Sequence, residues 1–211
     1  MKNIKHWIVK NPDLAFAVLL AICVYSYFAL TNEFFATHRT GYAIMERFAV
    51  LGLVGLALTL CIIAGEIDLS IGSNAALAAV IVVRFTDSLG AVTALLIAIL
   101  ISTLVGAIQG YFIAYLRVRA IVLTVGTLML LRGVALFAAQ EKTVMLTDFR
   151  VPDFISTKMF LYFSPASLLV IAMFIVVGLF MTFTRYGREI YAIGGARKEA
   201  IAAGIDLKRP M

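Results

Sequence analysis

The chain reads as an all-α polytopic membrane protein with about six transmembrane helices and both termini in the cytoplasm. Three observations point there. Of 211 residues, 63% are apolar and 14% charged, against about 45–50% and about 25% in soluble domains. The apolar residues fall in uncharged runs close to the ~20 residues that a spanning helix needs. The basic residues collect between alternate runs. A mean hydropathy of +1.01 agrees. This composition excludes a soluble globule, a disordered chain, a collagen and a disulfide-stapled secreted domain. On a soluble chain the net charge of +6 would suggest nucleic acid. Between apolar runs it sets orientation in the bilayer instead, and no nucleic-acid partner is expected.

The first run covers residues 14–32, and the second covers 48–65. The third, 69–83, is short. The fourth, 88–116, is long enough to span with tilt or to include a loop. The fifth, 120–140, is interrupted only by Arg132. The last, 159–184, contains Pro165, which suits the first position of a helix. Six spans put both ends on one side. With the N-terminus inside, Lys2, Lys5, Lys10, Arg117, Arg119, Arg185, Arg188, Arg197, Lys198, Lys208 and Arg209 are cytoplasmic. Arg39, Arg47, Arg84, Lys142, Arg150 and Lys158 are then outside. The excess lies inside, as the positive-inside rule requires. The first run is longer than a signal-peptide core and ends in YSYF, which offers no small-x-small cleavage site, so it is expected to stay as the first helix.

In the fourth run Ala98, Ser102, Gly106, Gly110 and Ala114 recur every four residues and form one small-residue stripe. Such stripes let helix backbones approach in lipid. Packing within the chain or a homodimer seam would both use it. Cys23 and Cys61 lie inside apolar runs, with no metal-ligand spacing, and read as small buried hydrophobes. His6 and His38 fall near opposite faces. There is no GxxxxGK[ST], HExxH or GxSxG, so a conduit is favoured over an enzyme, and no metal or cofactor is expected on this chain.

Three places break the apolar pattern. At residues 64–73, AGEIDLSIGS, Glu66 and Asp68 sit between two runs, bracketed by Gly65 and Gly72. Ser70 and Ser73 could cap a helix start. A broken helix or re-entrant turn against a water-filled cavity fits this gap, as half-helix ends do at transport sites. An ordinary cytoplasmic turn with Asp68 or Ser70 as N-cap fits it as well. Arg132 lies inside an apolar span, where a charge costs a few kcal/mol unless it is paired or wet. Pairing with Glu66 or Asp68, facing a polar cavity, or snorkelling from a helix that ends near Leu131 are the readings open to it. The third place is the basic stretch from Arg185. Gly194 and Gly195 break the backbone, residues 196–203 read as a short helix, and Gly204 stands where a helix-ending glycine belongs. Its small alanines suit a groove in a partner, or a surface helix on the headgroups.

Together these residues resemble the permease subunits of bacterial ABC importers for ribose, xylose and related monosaccharides, a family that includes autoinducer-2 permeases. Residues 65–73, GEIDLSIGS, resemble the family's GGIDLSVGS element. Residues 126–133, GTLMLLRG, resemble its LGTLxxxRG span. Residues 186–195, YGREIYAIGG, with Glu199, Ala200, Gly204 and Ile205, resemble its GRxIYAIGGNxxAAxxSGI loop. The likeness runs from about residue 34 to the end. It implies that the whole chain, residues 1–211, is one transmembrane permease domain in the inner membrane, and that residues 185–209 dock on an ATP-binding subunit. It further implies a second permease subunit, homo- or heterodimeric, and a periplasmic solute-binding protein. ATP would be bound by the partner.

The resemblance raises Glu66, Asp68, Ser70 and Asn74 as substrate-pathway candidates, its second element places Thr124 and Arg132, and Gln109 is expected to join them. It places Gly194, Gly195, Ala196, Glu199, Ala200 and Gly204 at the docking surface. Departures stand at Glu66, commonly Gly in the family; at Gln109-Gly110, where the family has Asn-Gly; at 118–127, VRAIVLTVGT, without the family's prolines; and at Ala196 in place of Asn. Family permeases continue for several more spans, so the chain is expected to be the N-terminal part of a longer permease. An ion-coupled carrier using Glu66, Asp68 and Arg132 as a relay is the rival reading, and a truncated permease without transport is another.

Overall fold

The computed structural model describes residues 10–140, 142, 145 and 150–206, and of residues 150–152 only the backbone. Lys2, Lys5, His6, Lys208 and Arg209, and with them the end of the 185–209 segment, lie outside the described residues. Among the described residues there are nine helices and no strand beyond an isolated bridge between Phe160 and Phe163.

Helix α1 is Pro12–Thr31 and α2 is His38–Ile63. The sequence reading starts the second span at 48, because Glu46 and Arg47 end the uncharged run. The helix starts ten residues earlier, where the Thr37 hydroxyl accepts the Thr40 N–H at 3.3 Å and supplies the cap. Helices α3, Ile71–Leu89, and α4, Ala91–Ala114, are separated only by Gly90. Its φ of +81° is open to glycine at little cost. The fourth run is therefore one helix with short flanks, and α3 continues beyond 83 through Arg84 and Asp87. Helix α5, Ala120–Ala138, passes through Arg132 without a break, so the reading of a helix ending near Leu131 is corrected.

After the short α6, Arg150–Ile155, helix α7 covers Pro165–Phe183 with the proline in its first turn, as expected. Ser164 and Ser167 cap α7 reciprocally. Helices α8, Arg185–Gly195, and α9, Arg197–Ala202, complete the chain. Among the described residues five helices, α1, α2, α4, α5 and α7, are long and apolar enough to cross a membrane. Helix α3 has the length, at 19 residues, but Arg84 and Asp87 dilute its last turns.

The helices pack in two groups that meet at the turn between α2 and α3. In the first, α3 packs against both α4 and α5. Its core is Leu77, Ile81, Ala98, Leu131 and Ala135. The small-residue stripe serves this packing in part: Ala98 and Ala114 are buried, while Gly106 faces open space. In the second group α2 packs on α7, with Phe48 stacked on Phe174 at 5.9 Å, and α8 lies across the ends of both. Helix α1 buries none of its residues and meets the rest through Tyr25 and Phe28 on Phe35. Large apolar side chains cover the outer faces, as in a protein whose solvent is lipid.

The contacts sort the helix ends. Thr124 reaches Ile67, Gln109 reaches Ser70 and Arg197 reaches Glu66. These residues define the turn end of the bundle. At the far end Glu46 accepts a short hydrogen bond from the buried Ser164, Tyr42 donates to the Ser156 carbonyl, and His38 lies 3.2 Å from the Lys158 ammonium.

Candidate functional site

Helix α2 ends in a Schellman motif. The Gly65 N–H donates to the Ile62 carbonyl and the Glu66 N–H to the Cys61 carbonyl, each at 3.0 Å. Gly65 stands at φ +79°, the left-handed position the motif requires. The chain then runs without regular structure through residues 66–68 and bends at Leu69 before Ser70. There Asp68 Oδ1 accepts both the N–H and the hydroxyl of Ser70, each at 2.7 Å. The Ser70 hydroxyl accepts the Gln109 amide from α4 at 2.9 Å. From α5, Thr124 donates to the Ile67 carbonyl at 3.4 Å. Ser70 and Thr124 are 1% exposed and Gln109 is 7% exposed. Two helices, α4 and α5, thus hold the turn, one through the Asp68–Ser70–Gln109 chain and the other through the Ile67 carbonyl.

Ser70 stands at the N-cap position of α3, as one reading expects, but its side chain makes no cap bond, because Asp68 and Gln109 occupy it. The turn is also recessed. Gln109 lies five residues before the end of α4, so the turn sits about 7–8 Å inside that end at 1.5 Å per residue.

Helix α8 lies across the end of α2, against α7. It is launched by Thr184, whose hydroxyl accepts the Gly187 N–H at 3.1 Å. It is braced by Arg185 on Glu189 at 2.7 Å, a contact that raises the Arg185 pKa through the hydrogen bond and the carboxylate's charge. Its last residues cross the end of α2 backbone on backbone. A Cβ at Gly65 would lie 3.2 Å from Gly194 Cα, and a Cβ at Gly194 would overlap the Ile63 carbonyl. Nothing lies within 4 Å of a Cβ at Gly195. Beyond the crossing, Arg197 Nη1 bonds Glu66 Oε1 at 3.0 Å. With side chains 45% and 22% exposed, such a pair contributes about 0–1 kcal/mol to stability.

Helix α9 ends as the sequence reading expects, at Gly204 with φ +81°. The Gly204 N–H bonds the Ile201 carbonyl and the Ile205 N–H the Ala200 carbonyl, each at 3.0 Å.

Two openings border the turn. A cleft of about 660 Å³ lies between Gly65–Ile67, the α4–α5 link with Arg117 and Arg119, and Arg197 and Ile201 of α9. A smaller space of about 230 Å³ lies among Asp68, Gln109, Gly110 and Thr124. Both touch Glu66, Ile67, Ile113 and Ala120. The turn therefore borders both openings; the smaller one is lined mainly by apolar groups, and Asp68 Oδ1, Gln109 Nε2 and Thr124 Oγ1 beside it are engaged in the hydrogen bonds of the turn.

Of the expected pathway residues, Asp68, Ser70, Gln109 and Thr124 meet at the turn. Glu66 adjoins them but faces Arg197. Asn74 lies one turn into α3, and its Oδ1 is buried without a hydrogen-bond partner among the described residues. Arg132 is elsewhere. It lies eight residues beyond Thr124 along α5, about 12 Å, and lines a different cleft of about 490 Å³ with Ser73, Ala76 and Leu128. Pairing of Arg132 with Glu66 or Asp68 is therefore corrected: those carboxylates bond Arg197 and Ser70. The relay that an ion-coupled carrier would need is not assembled among the described residues.

Of the docking residues, Gly195, Ala196 and Glu199 are exposed, Gly194 makes the crossing and Gly204 ends α9. Ala200 is 4% exposed. It is covered within the chain rather than offered to a groove, because α9 folds back on α8. Sequence reasoning missed Arg197 as a site residue, and missed the Tyr42, Glu46 and Ser164 cluster. The Ser164-Pro165-Ala-Ser167 pattern marks its capping half. Glu46 carried no local signal.

The geometry defines a polytopic helical membrane protein with a helical segment seated on a recessed polar turn. Residues 42–210 match the family described as branched-chain amino acid transport system / permease component, and the chain belongs to that family. Over 206 residues it is 27% identical to the inner membrane ABC transporter permease protein YjfF of Escherichia coli, covering 93% of this chain and 61% of that protein. It is 28% identical to the autoinducer 2 import system permease protein LsrD of Escherichia coli, over 94% of this chain and 62% of the relative. It is also 28% identical to the D-allose transport system permease protein AlsC of Escherichia coli, over 90% and 59%. The chain thus spans about three-fifths of the length of these curated relatives. No solved structure matches. The resemblance drawn from the three sequence stretches is borne out.

Proposed function

We propose that this chain is the transmembrane part of a permease subunit in an ATP-binding-cassette importer that carries a sugar or sugar-like solute across the inner membrane. The observation that carries the reading is the seating of α8 and α9 on the turn that holds Asp68, Ser70, Gln109 and Thr124. A partner that moves the segment moves the wall of the pathway. The relatives support the class of solute, since their names refer to D-allose and autoinducer 2.

The turn end carries Arg117, Arg119, Arg185, Arg188, Arg197 and Lys198, and the far end carries Arg39, Arg47, Arg84, Lys142 and Lys158. The more basic end faces the cytoplasm, with α3 as the sixth span. There an ATP-binding subunit docks on the exposed side of 185–206, a second permease completes the pair, and a binding protein delivers solute at the far end. ATP is bound and hydrolysed by the partner, and this chain is not an enzyme.

Deleting residues 197–204 from the full-length permease is expected to lower ATP-dependent uptake into proteoliposomes at least ~20-fold, and to lose the ATP-binding subunit on purification, as removal of a central docking element does. Co-purification and uptake that survive this deletion would overturn the docking assignment. Uptake that needs no ATP-binding subunit and collapses with the proton gradient would establish the carrier reading.

A further inference from the structure

We propose that the Glu66–Arg197 ion pair, set beside the Gly65–Gly194 crossing, is the positioning joint through which the docking segment moves the pathway turn. The inference rests on the permease reading above.

At the crossing two backbones meet with no side chain between them. Such a contact permits close approach but has no knob to hold α8 in register along α2. The ion pair supplies that register. Its 3.0 Å contact ties the first residue of α9 to the residue that follows Gly65.

Both sides of the joint are capped helix ends. Glu66 closes the α2 Schellman motif with its own N–H, and α9 ends in a second one at Gly204. Ala196, which separates α8 from α9, lies outside the helical region at φ −155° and ψ 86°. A displacement of α9 therefore turns at Ala196 and arrives at Glu66, two residues before the Asp68 carboxylate that holds Ser70 and, through it, Gln109. Both side chains are partly exposed and border the 660 Å³ cleft. Water can reach the pair, so it can open and reform within a transport cycle, which a fully desolvated pair resists.

The test uses the full-length permease with its ATP-binding subunit and binding protein in proteoliposomes, and reads solute transported per ATP hydrolysed. Arg197→Glu and Glu66→Arg are each expected to lower that ratio about tenfold, a typical size for a coupling interaction, and the double exchange to restore most of it. Arg197→Lys keeps the ratio, and Arg197→Gln lowers it. A residue of merely structural importance would reduce assembly, hydrolysis and transport together and leave the ratio intact. An unchanged ratio in Arg197→Glu and Arg197→Gln, or a double exchange no better than the single changes, overturns the joint and leaves the permease reading standing. A wild-type permease that never associates with an ATP-binding subunit overturns the permease reading itself.

Discussion

Gly194→Ala is expected to reduce ATP-dependent uptake below about one tenth of wild type, while Gly195→Ala stays within about twofold, although the two residues are neighbours. A methyl group at 194 would overlap the Ile63 carbonyl and press on Ala64, whereas one at 195 meets nothing within 4 Å. Overpacking against yielding side chains already costs about 1–3 kcal/mol. Here the obstacle is backbone inside a capped helix end, with no rotamer to move. The segment must lift off α2, which separates Arg197 from Glu66 and uncovers the turn. Uptake assays on the assembled importer, with limited proteolysis near Ala196, check both effects. The protease is expected to cut the Gly194 variant faster than the Gly195 variant. Equal behaviour of the two variants would mean that the crossing does not hold the segment.

Asp68→Ala is expected to be the most damaging single change within the turn. The carboxylate accepts two hydrogen bonds from Ser70 at 2.7 Å, and Ser70 in turn anchors Gln109. Alanine leaves a buried N–H and hydroxyl without their acceptor, at about 1–3 kcal/mol for each unsatisfied group. Loss of the turn also frees the α4 amide. Asp68→Asn keeps an oxygen at the accepting position and is expected to recover most of the stability. Thermal unfolding of the detergent-solubilised permease distinguishes the two variants, with the alanine variant melting several degrees below the asparagine variant. Equal melting temperatures would show that the Asp68–Ser70 bonds do not support the turn.

Local signals in the sequence proved readable. Pro165 opens α7 and Gly204 ends α9, because helix punctuation is written within a few residues. Gly65 likewise marks the end of α2. The start of α2 was not readable from uncharged runs: Glu46 and Arg47 interrupt the run but not the helix, since Thr37 caps it and Ser164, 118 residues away, satisfies Glu46.

The candidate site shows the same division. Glu66, Asp68 and Ser70 stand out as polar residues between apolar runs. What each of them bonds depends on contacts across 39 and 131 residues, to Gln109 and Arg197. No periodicity encodes those. Arg132 stood out for the same reason as Glu66, yet the length of α5 carries it to another cleft. Ala200 looked like an open surface because alanine is small. It is small because α9 packs back on its own chain.

For an ATP-binding subunit to move the pathway, the segment and the turn must share the cytoplasmic face. Single cysteines at Lys198 and Lys158, both exposed, in a permease lacking Cys23 and Cys61, can be challenged with a membrane-impermeant maleimide. The Lys158→Cys variant is predicted to label in right-side-out vesicles, and the Lys198→Cys variant only in inverted ones. Labelling of the Lys198→Cys variant from the periplasmic side would contradict the account.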